Sequence, residues 1–534
     1  MRFDPYKYQY PSRRNLVYGG RGMVATTNPY ASQAGLDMIK SGGNAFDGAV
    51  AAAAVLTVVE PTSNGLGSDA FAILYSGGRL HGINGSGHSP EALTMEYIRD
   101  KGLDRVPMHG PLPVMVPGAV GAWAEIIERH GNLTLEEVLQ PAIRLAEEGH
   151  CVQATIAENW ARGLTIQETL KEDHFRYWYD SFTRDGRTPY PGELWKSPDM
   201  GKTLRSIART GGEDFYRGEL ARRISEFLQE SGGVMTVEDL ASYRPEWVEP
   251  LSVNFRGYDI WELPPNGHGI NLLLALDIMK NLPQGGFDDP ESVHRAIEAM
   301  KLGFEDGMPL VGDPRFCQDR WVDLLKGENG VKRAGEITGL ARTPLCGDPG
   351  KGGTVYLAAA DGEGNMISFI QSNFRGFGSG LVVPGTGISL NNRGTDFSMD
   401  NHSPNALMGR KRPYHTIIPG FITKNGKAIG PFGVMGAYMQ PQGHLQVLLN
   451  TIDYGMNPQS ALDAPRWQWT GGMEVHIEED FPSEIAQVLE GKGHRIAINR
   501  DTSFFGRGQM IIRTGEGQLC GATEKRADSS IAVW

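Results

Sequence analysis

A threonine preceded by two glycines, Gly352-Gly353-Thr354, opens a run of small and β-type residues, 354–360, that reads as a strand. Asp361-Gly362-Glu363-Gly364-Asn365 turns the chain, and a second strand follows over 366–372. In an intact chain Thr354 is an ordinary strand residue. A cut just before it would give one residue both a hydroxyl and a new α-amino group. That amine, with a pKa of about 8, is a usable base at neutral pH, and a threonine paired with its own N-terminal amine is an activated nucleophile. Gly353 tolerates the backbone strain needed for the Thr354 hydroxyl to reach the preceding carbonyl. Threonine is common in strands and Gly-Gly in loops, so this stretch alone favours the structural reading over the catalytic one.

The elements around it must position that threonine. Residues 1–20 read as an extended arm and 22–27 as a strand. Ser32 is the expected cap of a first helix, and Asn44 that of a second, 45–58, which is nearly all small and apolar and so expected between two layers. The glycine-rich loop 62–69 joins helix to strand, the reverse of a phosphate-cradling loop, which excludes a nucleotide site there. A hairpin over 70–75 and 79–84 turns at Gly77-Gly78. Helical patterns dominate from 118 to 310. Weak periodicity over 310–353 marks an exposed, cleavable linker. Beyond Thr354, strands are expected at 381–384, 388–390, 416–423, 428–432, 473–477, 510–513 and 529–533, with a helix over 440–454. Hairpins in both halves with helices on either side predict an α+β chain of two stacked antiparallel sheets sandwiched by helices.

The 534 residues exceed one ordinary core, so two domains or one large intertwined one is expected. A net charge of −12 argues against nucleic acid or an anionic membrane as the main partner. No apolar run has the length to cross a bilayer, and residues 1–11 hold no signal-like apolar core. Cys151, Cys317, Cys346 and Cys520 are scattered without C-x-x-C spacing, which implies neither a disulfide framework nor zinc. No other cluster has metal-ligand spacing, so no metal or cofactor is expected, and the protein reads as cytoplasmic.

Several segments, in fixed order over essentially the whole chain, resemble the γ-glutamyltransferases (glutathione hydrolases). They are Gly42-Gly43-Asn44-Ala45-Phe46-Asp47-Gly48 with Val58-Val59-Glu60-Pro61, then Val116-Pro117-Gly118, Gln140-Pro141-Ala142, the Thr354 segment, Leu390-Asn391-Asn392, Asp396-Phe397-Ser398, Lys411-Arg412-Pro413 and Gly433-Val434-Met435-Gly436. The resemblance implies the four-layer αββα sandwich of N-terminal-nucleophile hydrolases. It implies a precursor that cuts itself at Gly353–Thr354 into a large chain, 1–353, and a small chain, 354–534, which stay together as a heterodimer; pairing of heterodimers is left open. Thr354 becomes the nucleophile that forms an acyl-enzyme from a small-molecule amide. Ser372 falls at the position that orients the nucleophile, Gly436 and Ala437 on the oxyanion-hole pair, and Asp396 where the substrate's α-ammonium is bound.

The same comparison exposes departures. The arginine that clamps the substrate's α-carboxylate in the family is Ser86 here, its Ser-Ser pair is His415-Thr416, an asparagine is Phe374 and a glutamine is Arg393. Losing a bidentate arginine should cost about 2 kcal/mol or more of substrate binding. Arg375, Arg393 and His88 are the candidates to replace it. The pattern is similar to the cytoplasmic, cephalosporin-acylase-like branch, which includes oxamate hydrolases. Three expectations follow: a γ-glutamyl amide hydrolase or acyltransferase, the same machinery acting on a small amide acid such as oxamate, or an uncut, non-catalytic member, since Val355 and Tyr356 also depart from the family.

Overall fold

The computed structural model describes residues 14–317, 321–344 and 353–534. Helix α1 (Pro29–Lys40) starts at Asn28 and not at Ser32, because Asn28 accepts the N–H of Tyr30 and Pro29 supplies the fixed φ of a first helical position. Asn44 caps α2 (Ala45–Val59) as expected: its side chain accepts the N–H groups of Phe46 and Asp47, and Asp47 accepts the N–H of Asn44 in return. Every residue of α2 is buried.

The strands that build the frame are β1 (Val17–Gly19), β2 (Gly22–Thr26), β3 (Asp69–Ser76), β4 (Arg79–Gly85), β5 (Glu246–Val248), β6 (Leu251–Phe255), β7 (Tyr258–Glu262), β8 (Gly353–Asp361), β9 (Met366–Phe374), β10 (Gly420–Lys424), β11 (Lys427–Met435), β12 (Arg507–Arg513), β13 (Leu519–Thr523) and β14 (Ser530–Val533). They form two seven-stranded sheets, ordered β14-β2-β8-β9-β3-β4-β5 and β1-β13-β12-β11-β10-β7-β6. Neighbours in both pair antiparallel. Helices α1 and α2 cover the outer face of the first sheet. Helices α3 (Gly269–Met279), α4 (Pro290–Gly307) and α5 (Met439–Leu448) lie over the outer face of the second. The architecture is the αββα sandwich.

Side-chain parity decides which layer each strand residue meets. On β8, Val355, Leu357 and Ala359 join the core under α2, whereas Tyr356, Ala358 and Ala360 join the core between the sheets. Ile370 on β9, Phe71 and Ile73 on β3, Met435 on β11 and Ile511 on β12 face the same gap. Tyr356 fits there because Gly433 lies opposite: a Cβ on that glycine would stand 2.4 Å from the tyrosine ring. The β3–β4 hairpin turns on Gly77 and Gly78 at φ +59° and +85°, values that suit glycine at a two-residue turn.

Three local expectations change. Residues 381–390 hold isolated bridges, Val382 to Ser389 among them, in place of two strands, because positive φ at Gly385 and Gly387 turns the chain too soon for a ladder. The pattern also misses β13, whose Leu519–Thr523 is short and lacks clear alternation. The stretch expected as a linker carries two short helices, Trp321–Leu324 and Glu328–Ala334, and its residues 318–320 and 345–352 lie outside the described ones. Most of the expected N-terminal arm, residues 1–13, also lies outside them, while Val17–Gly19 pairs with β13. Cys151 and Cys520 form no disulfide among the described residues, Cys317 Sγ donates to the carbonyl of Asp313 at 3.2 Å, and Cys346 is outside the described residues. Among the described residues no helix is long and apolar enough to cross a membrane.

Candidate active site

Thr354 is the first residue of β8 past Gly353, at the end of the inter-sheet gap. Pairing with β9 shifts there: Gly353 lies opposite Phe374 and Val355 opposite Gln371, so two residues of β9, Ser372 and Asn373, share the place opposite Thr354. Such a bulge re-aims side chains. The Thr354 hydroxyl donates to Ser372 Oγ at 3.1 Å, and Ser372 Oγ donates to the carbonyl of Gly353 at 2.8 Å. The Phe374 N–H donates back to Ser372 Oγ at 2.8 Å and fixes it. Both hydroxyl residues are buried. One serine therefore touches the threonine hydroxyl and polarises the carbonyl beside it.

Asp69, at the start of β3, pairs in register with Ser372. Its carboxylate accepts the N–H of Gly87 at 3.1 Å and lies 3.0 Å from His415 Nε2. The Ile417 N–H donates to His415 Nδ1 at 3.3 Å, so the ring proton sits on Nε2 and points to Asp69. Burial pushes the Asp69 carboxyl up to about 7, against the pull of Arg393. Burial and the Arg393 charge hold His415 well below its usual range, so the ring is neutral.

Beyond Phe374 lies a cationic cluster. Arg393 and Asp396 share a single 3-10 turn, Arg393–Asp396, their side chains 3.5 Å apart. Arg393 is fully buried, lies 4.1 Å over the face of the Phe374 ring, and donates from Nη1 to Thr416 Oγ1 at 2.8 Å. Its Nε and Nη2 have no partner among the described residues. Burial pushes Asp396 up to about 6, while Arg393 and Arg375 pull it down. The Arg375 guanidinium stands 5.0 Å from the Phe374 ring centroid. Tyr438 sits within the fields of Asp396, Arg393 and Arg375.

Gly436 and Ala437 link β11 to α5 with φ of +139° and +51°. Their carbonyls accept the N–H groups of Met439 and Gln440, and neither of their own N–H groups donates to an acceptor among the described residues. The pair thus leaves two backbone donors at the head of a ten-residue helix. Alanine keeps the N–H but holds a left-handed φ that costs ~1 kcal/mol.

Two expected pocket residues are engaged by their neighbours in the fold. Ser86 Oγ donates to Asn84 Oδ1 at 2.7 Å and accepts from Asn266 Nδ2 at 3.2 Å. His88 Nδ1 lies 2.9 Å from the carbonyl of Ser89, with Nε2 3.4 Å from Ser242 Oγ. The fold gathers Thr354, Ser372, Phe374, Arg393, Asp396, Thr416 and His415 into one connected network. Asp69 and Tyr438 join it without having been singled out from the sequence. The parity of the strand over 70–75 carries the signal for Asp69: Phe71 and Ile73 face the gap, so Asp69 must too.

A group with no ligand-like spacing in sequence also assembles. His294 and Glu298, one turn apart on α4, meet His494. His294 Nδ1 and His494 Nε2 are 2.9 Å apart, and His294 Nε2 donates to the carbonyl of Thr338 at 2.9 Å. The Glu298 charge is already matched by Lys301 at 2.8 Å, and its second oxygen accepts the N–H of Arg342 at 3.1 Å. Lys301 also donates to the carbonyl of Arg342 at 3.0 Å. With an ammonium in that place, the group clamps residues 338–342 to α4.

A family model described as gamma-glutamyltranspeptidase matches residues 31–534. The chain belongs to the γ-glutamyltranspeptidase family. It is 35% identical to the glutathione hydrolase-like YwrD proenzyme of Bacillus subtilis, over 96% of this chain and 98% of that one. It is 32% identical to the oxamate amidohydrolase proenzyme of Klebsiella pneumoniae, over 96% and 98%. The crystal structure of cephalosporin acylase from Bacillus halodurans superposes with a TM-score of 0.96 at 54% identity, covering 100% of this chain and 99% of that one. As a member of the γ-glutamyltranspeptidase family the protein is an enzyme, a self-processed N-terminal-nucleophile hydrolase made as a proenzyme.

Proposed function

We propose that the chain cuts itself at Gly353–Thr354 and that Thr354 then hydrolyses amides whose acyl part ends in a second carboxylate, held by Arg393. The observation that carries the substrate reading is the buried Arg393 guanidinium with two unpartnered N–H donors. A buried, unsatisfied cation is costly, and a carboxylate is the group whose planar geometry satisfies it. In the precursor, Thr354 Oγ attacks the Gly353 carbonyl that Ser372 polarises. The C–N bond breaks, the acyl group passes to the hydroxyl, and the freed nitrogen becomes the α-amine of Thr354. Water then hydrolyses the ester. In turnover that amine takes the Thr354 hydroxyl proton as Oγ attacks the substrate carbonyl, and Gly436 and Ala437 hold the oxyanion. The amine returns the proton to the departing nitrogen, and water, deprotonated by the same amine, releases the acid.

Asp396 supports a second reading, a γ-glutamyl head whose ammonium it would bind. Arg393 weakens that reading, since it lies 3.5 Å from the same carboxylate and neutralises it. The names of the relatives span both classes, a glutathione hydrolase-like protein and an oxamate amidohydrolase. Scattered cysteines without disulfide-like spacing suit a reducing compartment such as the cytoplasm.

Two experiments test the proposal. Purified wild type should run as two bands on a denaturing gel, the smaller beginning at Thr354 by N-terminal sequencing, and Thr354→Ala as one. Glutaryl-p-nitroanilide and its γ-glutamyl counterpart differ only by the α-ammonium, and the wild type should prefer the glutaryl amide. An uncut wild type overturns the nucleophile assignment; a strong γ-glutamyl preference overturns the head-group assignment.

A further inference from the structure

Among the described residues other than glycine, a positive φ occurs at Asp185, Arg256, Phe374, Arg410, Asn425 and Ala437. Asp185, Arg256, Arg410 and Asn425 are exposed turn residues. Phe374 and Ala437 are buried. Ala437 belongs to the turn into α5, whereas Phe374, at φ +81°, ends a strand in register with Gly353. A bulky residue at positive φ is a true outlier, and such a conformation persists only where the surroundings over-determine it. Here they do. The Phe374 N–H donates to Ser372 Oγ at 2.8 Å. On both sides of Phe374 the chain is laced to Asn392. The Asn392 N–H donates to the carbonyl of Asn373 at 3.2 Å, and the Arg375 N–H donates to Asn392 Oδ1 at 3.1 Å. Asn392 is itself held by the carbonyl of Met108, which accepts from its Nδ2 at 3.2 Å. Because Asn392 immediately precedes Arg393, the bend fixes Phe374 against the segment that carries the buried arginine.

The side chain accounts for the bend. The Arg393 guanidinium lies 4.1 Å from the centroid of the Phe374 ring and that of Arg375 lies 5.0 Å from it, both within cation–π distance. Thr416 holds Nη1 of Arg393, and Asp396 lies 3.5 Å from the same atom. Those contacts fix one end of a long side chain. The ring face fixes the plane of the guanidinium, and that plane sets where Nε and Nη2 point. The negative face of the ring also offsets the repulsion between two neighbouring guanidinia. Glycine or asparagine would relieve the backbone at 374, since both take positive φ more readily, but neither has a face to offer. We propose that Phe374 is a positioning residue for the acyl head: its strained backbone turns the ring beneath Arg393, and the ring aims that cation at a carboxylate, so that this one side chain sets the preference for an anionic head over one bearing an ammonium. This rests on Thr354 as the nucleophile and on Arg393 as the partner of the head. It adds that the arginine's placement depends on the ring, and that Thr416 and Asp396 do not suffice.

The test compares kcat/KM for glutaryl-p-nitroanilide and γ-glutamyl-p-nitroanilide in the mature enzyme. Phe374→Leu keeps apolar bulk and the N–H that fixes Ser372 but removes the ring face. The glutaryl to γ-glutamyl ratio should fall roughly three- to thirtyfold, with the loss on KM of the glutaryl amide. Phe374→Tyr keeps the face and should hold the ratio within about threefold of wild type. In an Arg393→Gln background Phe374→Leu should shift the ratio no further, because the ring acts through that arginine. An unchanged ratio in a cut Phe374→Leu enzyme overturns the proposal. So does an equal loss in the Leu and Tyr variants, or a full second loss in the Arg393→Gln background. If Phe374→Leu stays uncut on a gel, Phe374→Met takes its place; if neither is cut, Phe374 serves the fold and the proposal is overturned. A measurement without substrate checks the backbone. In the uncut Thr354→Ala chain, Phe374→Gly should unfold at a denaturant concentration no lower than Phe374→Ala, the reverse of their order in a relaxed strand. A clearly more stable Ala variant removes the strained turn on which the proposal stands. If the wild type is uncut, or Arg393→Gln alone leaves the ratio unmoved, the nucleophile or head assignment has failed, and that failure is seen without any change at Phe374.

Discussion

Replacing Arg393 by glutamine is the sharpest perturbation of the acyl-head pocket. Glutamine is close in length and neutral, and it restores the residue type that the family resemblance expects there. In the wild type Arg393 Nε and Nη2 have no partner among the described residues, while Nη1 stays on Thr416. Charge-assisted hydrogen bonds contribute ~1.5–3 kcal/mol each and add imperfectly, so the carboxylate head should lose about 2–4 kcal/mol of binding. At 1.4 kcal/mol per tenfold, that is roughly a thirty- to several-hundred-fold fall in kcat/KM for glutaryl-p-nitroanilide. The same change removes the cation 3.5 Å from Asp396 and frees that carboxylate for an ammonium. The γ-glutamyl anilide should therefore fall less, and the preference should reverse. Initial rates of p-nitroaniline release over a range of each substrate give the ratio directly. Arg393→Lys keeps the charge without the fork and should land between, and a thermal melt checks that each variant is folded. If Arg393→Gln lowers both substrates in proportion, leaving the ratio within about threefold, Arg393 is structural and the reasoning is wrong.

Other outcomes follow from the same geometry. Because the Asp396 carboxyl titrates near 6, acidifying through that pH neutralises it, releases Arg393 and removes the ammonium partner; the glutaryl to γ-glutamyl rate ratio should rise below pH 6 and flatten above 7. Titration of the Thr354 amine affects both substrates and cancels in the ratio. Ser372→Ala removes the donor to the Gly353 carbonyl and should slow self-cleavage by ~100-fold or more, read from a time course of precursor on a gel. Lys301→Met leaves the buried Glu298 charge unmatched and should cost about 3–5 kcal/mol, while Lys301→Met with Glu298→Leu should recover most of it in denaturant melts.

Much of this arrangement is legible in the sequence, for definite reasons. The strand that starts at Thr354 is marked by local order, two glycines and then small and β-type residues, while the role of Thr354 comes from the ordered motifs along the rest of the chain. The four layers follow from where hairpins and apolar helices fall. The capping of α2 by Asn44 is equally local, with its partner Asp47 three residues on. What sequence spacing does not carry is contact across the chain. Asp69 and His415 are 346 positions apart, and only the register of β3 on β9 brings that aspartate to Ser372. Arg393 is visible as a departure, but its role depends on the face of Phe374 beneath it and on donors left free by burial. The clamp of His294, Glu298 and His494 is invisible for the same reason, since its histidines are 200 residues apart. Ser86 and His88 are plausible by alignment alone; their neighbours Asn84, Asn266 and Ser242 engage them in the fold.

If Gly353–Thr354 is cut as proposed, the strand order changes what stability means. In the first sheet β2 lies between β14 and β8, so a large-chain strand is wedged between two small-chain strands, and in the second sheet β1 and β7 flank a block of four small-chain strands. Neither piece can leave without dissolving both sheets. The precursor folds in a unimolecular step with every strand on one chain. The cut protein, if unfolded, must reassemble its sheets from two molecules, so its refolding becomes second order and its apparent melting point depends on concentration. The proposed cut would thus act as a kinetic ratchet, leaving an enzyme that endures through the slowness of its unfolding and not through a reversible return to the native state.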